Sequence, residues 1–151
     1  ETYGYEDDEF AWRVCRQMGA RVLYRPEAKV THQHRYSPES YLQRETGLGR
    51  AAWGFAMAAP ECARELFGRD VTADAEVAYS DAFVRNERRG AERLRESFES
   101  LATIPADSVP EGVHADTLLN LIYEQHLLLK RYCWRQGHLD AALGGAAAQA
   151  A

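Results

Sequence analysis

The feature that most constrains this chain is a change of hydrophobic period at Ser37. Before it, apolar residues come in short runs. Residues 21–24 contain Val22, Leu23 and Tyr24, and residues 28–32 contain Val30, with Arg25-Pro26-Glu27 between the two runs. Short apolar runs separated by turn residues predict two short strands. After Ser37, apolar residues recur at three- and four-residue spacing, which predicts helix for nearly all of the remainder.

The helices have readable ends. Residues 7–18 predict a first helix, with Phe10, Val14 and Met18 along one face, acids in the first turn and Gly19 as its stop. Ser37-Pro38-Glu39 combines a capping hydroxyl, a proline at the first helical position and an acid in the first turn. That helix is expected to run to about residue 59, with a break or a close packing contact near Gly47, Gly49 and Gly54. Pro60 opens a short helix that ends near Gly68. Residues 74–101 predict a long helix that Gly90 could interrupt, residues 103–112 a connection with two prolines, and residues 113–135 a last helix stopped by Gly137. The Gly- and Ala-rich end is expected to fray.

Composition narrows the class. With 46% hydrophobic and 27% charged residues, the 151-residue chain reads as globular. A net charge of −5 gives no support to nucleic-acid binding. Cys15, Cys62 and Cys133 are far apart and odd in number, so free, mostly buried thiols in a reducing compartment are expected. No apolar run reaches the ~20 residues of a membrane-spanning helix. The opening Glu1-Thr2-Tyr3 reads as the interior of a domain, so the native N-terminus is expected to lie upstream.

Chemistry concentrates near the start. Gly4-Tyr5-Glu6-Asp7-Asp8-Glu9-Phe10-Ala11-Trp12-Arg13 is followed by Tyr24-Arg25-Pro26-Glu27-Ala28 and then Val30-Thr31-His32-Gln33-His34. A carboxylate at a helix start can take a proton from an attacking hydroxyl. A neutral imidazole can complete the shell of a divalent cation. Acids at a helix start more often serve as dipole partners, and Asp8 and Glu9 are read that way.

In this order the fragments resemble the C-terminal half of the catalytic domain of family 2 glycosyltransferases. The resemblance covers roughly the first 55 residues, including Ser37-Pro38-Glu39-Ser40-Tyr41-Leu42 and Gly49-Arg50-Ala51. It implies a GT-A fold, a Rossmann-like α/β domain that binds a nucleotide-sugar donor and a divalent metal, Mn²⁺ or Mg²⁺. It implies Asp7 as the general base toward the acceptor hydroxyl, Glu6 as a residue orienting the acceptor, and His32 as a metal ligand, with His34 a second candidate. Arg44 and Arg50 are candidates to reach the diphosphate, with surface placement as the alternative. The implied reaction is a single displacement with inversion at the anomeric carbon.

Two departures bear on this. The family's Asp-x-Asp metal motif is not found in the chain, so the site is expected to be half a site, completed by a missing N-terminal half of the same domain. The Gln-x-x-Arg-Trp motif of processive synthases is also absent, which favours transfer of one or a few sugars. The expected fold class is mainly α, with a short α/β piece at the N-terminus. Residues 1–59 would close the GT-A domain, 60–143 would form a helical extension, and 144–151 a disordered tail. By itself the chain is expected to be inactive and to bind nucleotide-sugar poorly. The expected location is cytoplasmic, with peripheral association at the inner face of the membrane.

Other readings of the same residues are a non-catalytic helical interaction module and a metal-dependent hydrolase using His32 and His34. The basic cluster Arg85, Arg88, Arg89, Arg93 and Arg95 is interleaved with Glu87, Glu92, Glu96 and Glu99 and reads as a solvated helix face. Trp12, Trp53 and Trp134 read as core or interface contacts.

Overall fold

The computed structural model describes residues 4–31, 33, 36–105, 108–109 and 111–149. Among these residues there are five α-helices and no strand: α1 (Glu6–Met18), α2 (Pro38–Ala58), α3 (Pro60–Phe67), α4 (Asp74–Ala102) and α5 (Val113–Gln149). The mainly helical expectation holds. The expected α/β piece does not form among the described residues, and the fold gives no support to part of a GT-A domain.

The reason lies in what the apolar runs find to bury. The expected turn is present, with Ala28 N–H donating to the Arg25 carbonyl at 3.0 Å. Among the described residues, however, nothing covers the flanking segments: Val22, Tyr24 and Val30 are 78%, 88% and 82% exposed. A two-stranded hairpin without a covered face is marginal in water.

Local chemistry accounts for several helix ends. At the start of α2 the Ser37 hydroxyl accepts from the Ser40 N–H at 3.1 Å, and Pro38 fills the first helical position. Such a cap contributes ~1 kcal/mol. Gly19 and Gly68 close α1 and α3 with φ of 63° and 64°, a conformation that other residues rarely adopt.

The core lies where α2, α4 and α5 meet. Leu42 from α2, Val84, Ala91 and Phe98 from α4, and Leu129, Tyr132 and Cys133 from α5 form one buried cluster. A second cluster joins Ala56, Ala63 and Val71, covered by Phe55, Phe67 and Trp134. Helix α5 packs most extensively on α2 and next on α4. Cys62 and Cys133 are buried and Cys15 is partly buried, all three as free thiols. Among the described residues, no helix is long and apolar enough to cross a membrane.

Two glycines set the α2–α5 distance. A Cβ at Gly49 would collide with the Trp134 carbonyl and lie 2.9 Å from the His138 nitrogen. A Cβ at Gly137 would collide with the Thr46 carbonyl and lie 3.1 Å from the Arg50 nitrogen. The two backbones therefore touch through reciprocal gaps. Gly137 does not end the last helix as its sequence context suggests. It sits inside α5, and the helix continues through the crossing to Gln149. Gly90 likewise leaves α4 unbroken.

Helix α1 stands apart. None of its residues is buried, and Phe10 and Met18 are 59% and 78% exposed. Its described polar ties to the body include Trp12 and Arg16, both donating to the Glu65 carboxylate of α3, Trp12 at 3.0 Å.

These contacts separate glycines that look alike in sequence. Gly49→Ala and Gly137→Ala should each destabilise the protein by about 3 kcal/mol or more, because the obstructing atoms are backbone. Gly54→Ala, where a Cβ meets nothing within 4 Å, should stabilise it by roughly 0.5–1 kcal/mol. Urea denaturation midpoints decide the matter. Equal effects at the three positions would contradict the packing described.

Candidate functional site

The acidic start of α1 is held by the residue that precedes it. Tyr5 caps α1 in a left-handed conformation, with φ 70° and ψ 2°. For a non-glycine residue this costs ~1–2 kcal/mol. The ring contacts offset that cost. Tyr5 stacks on Phe55 with centroids 5.4 Å apart and meets Phe67 edge-on at 5.2 Å. Its hydroxyl accepts from the Trp134 indole N–H at 3.1 Å. Burial in this aromatic group raises the Tyr5 pKa above its ordinary value.

With Tyr5 fixed, the next residues take set places. Glu6 folds back so that its carboxylate accepts from the Gly4 N–H at 2.7 Å. Asp7 is exposed, and no hydrogen bond or ion pair among the described residues engages its carboxylate. Glu9 pairs with Arg13 at 2.9 Å. Four acids in this first turn place negative charge at the positive end of the helix dipole. Beside them opens a concavity of about 390 Å³, lined by Gly4, Glu6, Glu9 and Phe55 with the small residues of the α2 end.

Arg44 and Arg50 are not brought together. Six positions along α2 separate them by ~9 Å in rise and ~120° around the axis. Arg50 donates to Asp140 of α5 at 2.9 Å. Arg44 donates to Glu45 at 3.1 Å and lies over the Tyr36 ring. Glu45 is only 1% exposed. Desolvation of the Tyr41 hydroxyl, and then the negative charge of the adjacent Glu45, push the Tyr41 pKa up to about 12. His32 and His34 lie outside the described residues. Among the described residues, no group of three His, Cys, Asp or Glu side chains could hold a metal ion. The described part of the chain thus does not itself fit a divalent cation.

Sequence reasoning missed a buried polar chain across α4 and α5. Arg135 donates to the Ser80 hydroxyl at 3.0 Å and also to Glu76. Ser80 Oγ lies 3.1 Å from His138 Nδ1, and His138 Nε2 lies 2.7 Å from the Val71 carbonyl. Since a carbonyl only accepts, Nε2 carries the proton and Nδ1 accepts from Ser80. A serine beside a histidine resembles a nucleophile and its base. Both side chains are completely buried, so no substrate can reach them and the chain is structural. Its members come from residues 71 to 138, and nothing in their spacing brings them together.

No protein-family model matches this sequence, and searches among curated proteins and solved structures find no match.

The buried imidazole sets a pH dependence. Burial lowers the His138 pKa below its ordinary 6.5. On acidification the unfolded chain binds the proton first. Stability is therefore full above about pH 6.5 and falls as pH drops from there to the lower folded-state value. Thermal melts between pH 7.5 and 5 should show this loss, and His138→Gln should remove it. An unchanged slope in the variant would mean that His138 is not its source.

Proposed function

We propose that this chain is the acceptor-side part of an inverting nucleotide-sugar glycosyltransferase, with Asp7 as general base. The observation that carries this reading is Asp7 itself: exposed, unengaged among the described residues, and on a helix start fixed by Tyr5, next to Glu6, which with Glu9 lines the adjoining concavity while Asp7 does not. The ordered motifs around it, which resemble family 2 glycosyltransferases, supply the reaction.

Under this reading the acceptor hydroxyl approaches the α1 start, and Asp7 takes its proton as the oxygen bonds to the anomeric carbon. The bond from that carbon to the diphosphate oxygen breaks on the opposite face, and the nucleoside diphosphate leaves with the electron pair. The configuration inverts. Glu6 is already turned back on Gly4, and here it shapes the acceptor side of the concavity. The nucleotide-sugar is bound by an N-terminal half of the domain outside this chain. The apolar side chains left exposed on α1 and residues 22–30 are the surface that such a half would cover. A divalent cation, if bound, would be held in part by His32 and His34 and would offset the charge of the leaving diphosphate.

A second reading, a non-catalytic helical interaction module, is favoured by one observation. Leu119, Tyr123 and Leu127 recur every four residues on α5 and are all exposed, an apolar stripe suited to a partner protein.

Asp7→Asn decides between them. In the enzyme that includes the donor-binding half, it should lower kcat by about 10²- to 10⁴-fold and leave donor KM nearly unchanged, because the amide keeps the shape and cannot take the proton. Near-normal kcat would remove Asp7 from the role of base. Absence of any transfer by the unmodified enzyme across nucleotide-sugars would favour the interaction module.

A further inference from the structure

A local excess of positive charge lies away from the acidic helix start. A concavity of about 370 Å³ between the α3–α4 connection and the middle of α5 is lined by Arg69, Leu127, Lys130, Arg131, Trp134 and Arg135. Small-molecule sites begin at roughly 300 Å³. In a chain of net charge −5, four cations converge here.

The available carboxylate does not balance them. Glu76 pairs with both Arg69, at 2.8 Å, and Arg135. Arg131 donates to the neutral Tyr79 hydroxyl. Among the described residues, neither Arg131 nor Lys130 has a carboxylate partner, and both are exposed at the rim. The arginines of α4 behave differently. Arg85 pairs with Asp81 at 2.7 Å, and glutamates alternate with the others along the helix. Along that stretch acids and arginines are equal in number, five of each between Asp81 and Glu99, whereas the concavity gathers four cations around Glu76.

The pocket is also held in shape before any ligand arrives. Arg135 is nine-tenths buried, fixed by Glu76 and Ser80, and its guanidinium lies 5.3 Å from the Trp134 ring centroid. Trp134 is held at its ring edge, where the indole N–H donates to the Tyr5 hydroxyl. Fixed guanidinium forks with an exposed lysine at the rim suit an oxyanion with several acceptor oxygens.

We propose that this concavity binds a phosphate-bearing ligand. Arg131 and Lys130 would contact the phosphate oxygens directly, and Arg69 and Arg135 would supply the positive field behind them. The phosphate could belong to a soluble diphosphate or to a lipid headgroup. The apolar Leu119, Tyr123 and Leu127 stripe runs along α5 toward the same rim and would suit the chain of an anionic lipid. The proposal does not depend on sugar transfer, and its test uses no transfer assay.

Two probes separate the sources. The first is calorimetric titration with inorganic pyrophosphate at low salt. The second is co-sedimentation with phosphatidylcholine vesicles, with and without phosphatidate. The variants are Lys130→Ala, Lys130→Ala/Arg131→Ala and the control Arg89→Ala/Arg93→Ala on exposed positions of α4. Circular dichroism checks that each remains helical, and Lys130→Ala, an exposed side chain, keeps the test usable if the double variant unfolds. Wild type and control should bind, and the Lys130→Ala/Arg131→Ala variant should bind about tenfold or more weakly, with Lys130→Ala between them. Pyrophosphate binding without vesicle binding assigns a soluble ligand, and phosphatidate-dependent sedimentation assigns a lipid. The proposal is overturned if wild type binds neither probe. It is overturned equally if the pocket variants bind as wild type does, or if the α4 control loses as much affinity as the pocket variants.

Discussion

The backbone contact between α2 and α5 at Gly49 and Gly137 is the constraint on which the rest of the molecule depends. Each glycine makes room for a carbonyl of the other helix, so the two helices approach more closely than side chains at those positions would permit. That distance brings Leu42 against Leu129 and Cys133, and it closes the core that α4 completes. It also fixes the direction of Trp134, three residues before Gly137. Trp134 then serves two neighbours: its N–H anchors Tyr5, and its ring flanks the basic concavity. A contact made for packing thus sets the positions of both polar regions of the surface.

The helical part of the fold was legible because its signals are local. Ser37-Pro38-Glu39, Pro60 and Gly68 act within one turn of where they stand, and they mark the observed ends of α2 and α3. The two strands were misread because short apolar runs specify a strand only when something covers them. Val22, Tyr24 and Val30 find no cover among the described residues. Gly137 was misread for a related reason. From sequence, a glycine late in a helix looks like a stop, and only the approach of Thr46 explains a glycine inside α5. The candidate site was legible to the extent that Glu6 and Asp7 do open a helix. The Tyr5–Trp134 bond joins residues 129 positions apart, and the Arg69 contribution to the basic concavity is equally non-local. No periodicity in one chain encodes either.

The functional reading joins an anchored acidic helix start to a body that is complete without it. The α2–α5 body has buried clusters and a satisfied polar chain of Arg135, Ser80, His138 and Val71. Helix α1 has no buried residue and is tied through Tyr5 and through Glu65. An acid that must meet a substrate benefits from such placement: solvent reaches Asp7, while the tyrosine before it is fixed in the aromatic group. The strained Tyr5 backbone is consistent with a position held by its surroundings rather than by its own preference.

The central claim is that the α2–α5 crossing is the rigid element and α1 a separately tethered one. Native-state amide hydrogen exchange tests it most directly. Amides of α2 and α5 flanking Gly49 and Gly137 should exchange only through global unfolding, with opening free energies equal to the global stability. Amides of α1 beyond its first turn should open at a much lower free energy. Equal protection of α1 and the crossing, or faster exchange at the crossing than in α1, would contradict the account.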